Sequence, residues 1–189
     1  MPFPTTVLVL LGSAALMALP CSAQNMKPGL WEINNKLKSK DGQVEKAMSL
    51  VQSYMDGMPP EQRKALEAKV AQQGFTMPAM TANGGILAKM CVTKEMVARN
   101  FVPVQSAGNC TVTQKPISSS VMKVSFRCTA PESSGDGEMR FHGDSAYSMT
   151  MRMTSNAAGA MQAADMESTG NWIGADCGSV KPATPHRVE

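Results

Sequence analysis

Apolar and polar positions change their rhythm several times along the chain. From Val7 to Leu19 every residue is apolar except Gly12 and Ser13, and residues 2 to 19 carry no charge. After a Pro28-Gly29 turn signal, Leu30 to Leu37 predicts a strand with Trp31 and Ile33 on one face. Between Gly42 and Gly74 the period becomes helical, with Val44, Ala47, Met48, Val51 and Met55 recurring at three- and four-residue intervals. Gly57 and Met58-Pro59-Pro60 interrupt this pattern. Pro60-Glu61 then opens a second, largely polar helix that Gly74 stops. The pair predicts an αα-hairpin inserted between the first two strands, followed by a loop over Met77 to Asn83.

Downstream, Ile86 to Val92 predicts a strand, and Thr93 caps a short helix through Met96 and Val97 that ends near Asn100. Cys110 to Gln114 and Val121 to Cys128 predict a hairpin. In its second arm Met122, Val124, Phe126 and Cys128 alternate with Lys123, Ser125 and Arg127. Pro131 to Gly137 reads as a polar loop. Glu138 to His142 and Tyr147 to Ser155 predict another hairpin, with Tyr147, Met149, Met151 and Met153 on one face. Met161 to Met166 predicts a last strand, Ser168 to Gly178 closes the domain, and 181–189 is a tail expected to be disordered. The sum is a mostly β (α+β) chain: an antiparallel meander or half-barrel of about seven strands, with a helical insert over about 43–74, in one domain covering 24–180.

The opening apolar run has the length of a signal-peptide core and is too short to span a bilayer. Cys21-Ser22-Ala23 offers small residues for cleavage after Ala23, so residues 1–23 are expected to be a signal peptide and the mature protein periplasmic, with no transmembrane segment. A lipid anchor at Cys21 and a retained helix are the alternatives. Cleavage leaves four cysteines, Cys91, Cys110, Cys128 and Cys177. An even number in an exported chain predicts two disulfides. Four cysteines allow three pairings. The reading favours Cys91–Cys110 with Cys128–Cys177, and Cys110–Cys128 across one hairpin is the rival.

Charge and composition narrow the chemistry. The net charge is +3 with no basic block, and there are two Trp, two Tyr and five Phe, so the patch-plus-stacking signature of a nucleic-acid binder is missing. Neither a Gly-x-Ser-x-Gly elbow, a phosphate loop, a dinucleotide fingerprint nor a zinc-type cysteine spacing occurs. His142 and the Asp165/Glu167 pair read as surface residues, and Gly135-Asp136-Gly137-Glu138 as a turn. No catalytic residue, resident metal or cofactor is assigned. The anomaly is 17 methionines. Met149, Met151 and Met153 admit three readings: adaptable core filling, the lining of an apolar concavity for a hydrophobic ligand, or soft thioether ligands for Cu(I). Trp31 is a core anchor or a stacking residue of that concavity.

Several local motifs in order, Lys27-Pro28-Gly29-Leu30-Trp31-Glu32, Met58-Pro59-Pro60-Glu61-Gln62-Arg63-Lys64, Cys91-Val92-Thr93-Lys94-Glu95, Gly108-Asn109-Cys110-Thr111-Val112-Thr113 and Gly174-Ala175-Asp176-Cys177, resemble the bacterial family called domain of unknown function 3617. The resemblance covers nearly the whole mature chain. It implies a small exported, periplasmic protein of Gram-negative bacteria, matches the four-cysteine pattern, and brings no activity or site residue. The expectation is a non-enzymatic binding or envelope-accessory module. It would use an apolar concavity or the helical insert to engage a hydrophobic small molecule or an envelope protein. Copper binding through Met149, Met151 and Met153 is the alternative.

Overall fold

The computed structural model describes residues 26–72, 74–81, 83–98, 110–156, 159 and 161–182. The expected signal peptide lies outside this set, as do Asn100 and nearly all of the tail after 181. In chain order the elements are β1 (Gly29–Lys38), α1 (Gln43–Asp56), α2 (Pro60–Gln72), β2 (Ala79–Met80), β3 (Ile86–Val92), α3 (Lys94–Ala98), β4 (Cys110–Pro116), β5 (Val121–Thr129), β6 (Glu132–His142), β7 (Ala146–Ser155) and β8 (Gln162–Gly174). The eight strands form one open sheet in the order β2-β3-β1-β8-β7-β6-β5-β4, with every neighbouring pair antiparallel. Strands β4 to β8 run consecutively as a meander, five of the roughly seven strands expected to do so. β1 then inserts between the last strand of that meander and β3.

Because side chains alternate across a strand, the register sorts the sheet into two faces. One row of the inner face runs Ile86, Asn35, Ser168, Met149, Met139 and Met122 across six strands. The next runs Leu37, Met166, Met151, Gly137 and Val124. From these rows Met122, Val124, Met139, Met149 and Met151, with Met166 packed against them, join a single core that also takes Trp31, Met90, Val112, Tyr147, Met26 and, from α3, Met96. The outer face is polar. Asp136, Arg152, Asp165 and Lys38 lie opposite one another on successive strands, and Arg152 bonds Asp165 at 3.2 Å.

The largest correction concerns the expected loop from Pro131 to Gly137, because β6 begins at Glu132. Gly135 and Gly137 suggested a turn, but in the sheet they seat larger neighbours. Gly135 lies opposite Phe126 and Gly137 opposite Met151, while on β8 Gly170 lies opposite Tyr147. A Cβ at Gly135 would collide with the Phe126 ring, at Gly137 with Met151, and at Gly170 with the Tyr147 ring. Glycine within a strand here marks close approach. The same effect joins the two closing segments into one 13-residue strand, β8. The expected loop over Met77 to Asn83 contains the two-residue β2, making eight strands instead of about seven.

The sulfur pairing also differs from the favoured reading. Cys110 bonds Cys128, and Cys91 bonds Cys177. Cys110 and Cys128 are direct cross-strand partners on β4 and β5, so the rival pairing holds and Cys128 cannot reach Cys177. Cys91 lies near the end of β3, against Leu30 of β1. Leu30 in turn pairs with Gly174 of β8, three residues before Cys177, so the sheet carries the terminal cysteine back to it. On loop length alone, the 86-residue link contributes about 4–5 kcal/mol and the 18-residue link about 3 kcal/mol.

The helical insert has a geometric duty. β1 ends at Lys38, whereas Phe75 bridges Met90, the partner of Trp31 near the start of β1. α1 and α2 carry the chain back along the sheet between those points. Thr76 N then donates to the Lys89 carbonyl at 3.0 Å, covering the outer edge of β3.

Candidate functional site

Trp31 and Met149, Met151 and Met153 are the sequence-derived ligand candidates. Trp31 is wholly buried, Met149 and Met151 are buried, and Met153 is partly buried beside them. The Trp31 ring lies 6.0 Å from the Tyr147 ring, and its Nε1 donates to the Lys27 carbonyl at 2.8 Å. Trp172, opposite Trp31 on β8, donates its Nε1 to the Pro28 carbonyl at 3.1 Å. Lys27 Nζ sits 5.2 Å above the Trp172 ring and 3.0 Å from Asp144. Gly29 adopts φ +131°, and a Cβ there would collide with the Gly174 carbonyl. The opening Lys-Pro-Gly-Leu-Trp segment is thus fastened by two indoles and a β6–β7 turn.

The candidate methionines sit among other core residues. Met149 lies opposite Ser168 and Met139, and Met151 opposite Met166 and Gly137. Among the described residues, Ser168 is the buried polar residue of this face. It hydrogen-bonds Tyr147, whose hydroxyl burial pushes its pKa up to about 12 against that bond's lowering influence. Among the described residues no group of three or more His, Cys, Asp or Glu could hold a metal ion. His142 Nε2 lies 2.9 Å from Ser148 Oγ on the exposed outer face.

The surface that stands out is on α1. Neither α1 nor α2 has a buried residue. Leu50 is 72% exposed, Tyr54 66% and Val51 53%, and at helical spacing they form one stripe with Ala47. Val44, Met48 and Met55, on the adjoining part of the helix, are half-buried. The apolar face read from the sequence, Val44, Ala47, Met48, Val51 and Met55, includes Ala47 and Val51 of this stripe but not Leu50 and Tyr54, which the four-residue spacing between them could have revealed.

Local bonds hold α1 in place of core packing. Ser39 Oγ accepts from Val44 N at 3.1 Å and donates to Glu45 at 2.9 Å, and Asp41 accepts from Gln43 N at 3.2 Å. The Gln43 amide and then the Ser39 hydroxyl hold the Asp41 carboxyl below its ordinary pKa. The Glu45 backbone amide and then Ser39 do the same for Glu45. At the other end Arg63 of α2 donates to the Met55 carbonyl at 2.6 Å, which also accepts from Met58 N at 3.3 Å.

Comparison with known proteins gives the same boundaries as the fold. A protein of Pseudomonas putida described as uncharacterised is 34% identical over 139 residues, covering 72% of this chain and 92% of its own length. No solved structure matches. The model of the protein family of unknown function DUF3617 matches residues 26–177, from the first core methionine to the last bridged cysteine. With that extent and a relative of that identity, the chain belongs to the DUF3617 family.

Proposed function

We propose that this protein is an exported, non-catalytic binding module of the bacterial envelope, and that α1 is its contact arm. One observation carries the reading: α1 is amphipathic, yet Leu50, Val51 and Tyr54 on its apolar side face solvent. An apolar stripe that the fold leaves uncovered suits association with an apolar surface of a partner protein. The concavity reading has less support, since the inner face is filled by its own Trp, Tyr and Met side chains. Copper binding through Met149, Met151 and Met153 has less support for the same reason. Export rests on the uncharged apolar run before residue 20 and is consistent with two disulfides.

A photoreactive phenylalanine analogue at Leu50 tests the reading in cells, with Thr150 on the exposed outer face as control. The expected result is a discrete crosslinked protein from position 50 and none from position 150. Equal labelling at both positions, or none at 50, contradicts it.

A further inference from the structure

We propose that the arm's partner is a second copy of this chain, held by an antiparallel contact between the two α1 helices across a two-fold axis. The assignment rests on α1 being the contact arm and adds what it contacts. Ala47, Leu50, Val51 and Tyr54 are all exposed, and their three- and four-residue spacing puts them on one side of the helix. A two-fold axis midway between Leu50 and Val51 sets Leu50 level with Val51 of the other copy and Ala47 level with its Tyr54. The smallest side chain of the stripe then meets the largest at both ends of the contact, as close packing of facing helices requires. Parallel helices would instead set Tyr54 against Tyr54 and Ala47 against Ala47, crowding one end and leaving a gap at the other.

Charge selects the same arrangement. The charged residues of α1 are Glu45, Lys46 and Asp56, and its last turn has no basic residue. On a helix of about 3.6 residues per turn, Glu45 and Asp56 fall opposite the stripe and Lys46 falls on its flank. Lys46 is exposed and draws on Asp41 within its own chain. It stands toward the N-terminal end of α1, the unfavourable end for a cation. The antiparallel pair brings each Lys46 level with Met55 and Asp56 of the other copy. That is the carbonyl end, where Arg63 is the cation supplied by the same chain. The two Lys46 side chains are then about 13 Å apart along the axes, whereas parallel helices would bring them side by side.

The patch is small. A stable interface buries about 800 Å² on each partner. Leu50, Val51 and Tyr54 supply less than that, so the dimer is expected to dissociate on the order of tens of micromolar.

Sedimentation of the full mature chain, both disulfides intact, from about 1 μM to about 1 mM tests the contact. A monomer–dimer equilibrium is expected. Tyr54→Ala and Ala47→Tyr are each expected to weaken it about tenfold or more, because each acts at both ends of the contact. The two together are expected to restore it to within about threefold, since a small and a large side chain again face each other. Both positions are exposed, and unchanged strand circular dichroism checks that the variants fold. A chain that stays monomeric throughout, or a double variant that associates no better than the single ones, overturns the proposal. The photoreactive probe at position 50 separates it from the contact-arm reading. A crosslinked product containing only this chain supports both, a product containing a different protein overturns the dimer and keeps the arm, and the absence of a product contradicts both.

Discussion

Met122, Val124 and Phe126 on β5 and Val44, Val51 and Met55 on α1 have equally regular apolar spacing, but their surroundings differ. On β5 the inward positions Met122 and Val124 are buried, and Phe126 packs against the same core. On α1 nothing is buried, and Leu50, Val51 and Tyr54 face water. Periodicity specifies which face of an element is apolar; it does not say whether the fold supplies a cover for that face. In the sheet, seven neighbouring strands and α3 supply one. In the helical arm the described residues cover only the side of Val44, Met48 and Met55, which are half-buried, and Ser39, Asp41, Glu45 and Arg63 tie its two ends. A helix of this length is marginal alone in water, so those end bonds matter more than its apolar residues.

The contrast makes unequal demands on substitutions. The largest effect is expected at Trp31, where truncation empties the most deeply buried aromatic site: Trp31→Ala loses about 3–5 kcal/mol in urea unfolding. A loss under 1 kcal/mol would show that the inner face is not what holds the sheet. Next comes Tyr147. Its folded pKa, about 12, lies above the unfolded value of about 10. The protonated ring's contribution is therefore complete below pH 10 and is lost between pH 10 and 12. On the order of 2–3 kcal/mol of stability should disappear over that window, and Tyr147→Phe should flatten the profile there. On the arm, Val51→Ser with Tyr54→Ser is expected to change sheet stability by less than about 0.5 kcal/mol, as exposed sites do, while removing the crosslink from the probe at position 50. The smallest effect is at acid pH. Asp41 and Glu45 have folded pKa values below their ordinary ones. Their support of α1 is present above the unfolded values and is lost as pH falls through the folded ones. Helical circular dichroism should decline there before the strand signal does.

Much of this architecture was legible from the chain because a half-buried strand records its environment in a period of two. β5 and β7 needed nothing more, and β3 was bounded correctly at both ends. β6 was obscured because its inward positions 135 and 137 are glycines. The side chains that fill those places belong to Phe126 and Met151 on neighbouring strands, so the local sequence carries no apolar signal. The disulfides were obscured for a related reason. Cys91 and Cys177 are far apart in sequence, and only the β3-β1-β8 order makes them neighbours. At the candidate site, the insert's helical period was readable. Its lack of cover was not, because exposure depends on where the returning chain runs past the sheet.

The most direct test replaces residues 43–72 with a flexible Gly/Ser linker of about twelve residues, long enough to return from the end of β1 to Phe75. Thermal unfolding followed by strand circular dichroism is the readout. A cooperative transition within a few degrees of the full chain's, with the Leu50-dependent contact gone, is the outcome expected of an arm that serves contact and not the core. Loss of the cooperative transition would mean that α1 and α2 are part of what folds the sheet.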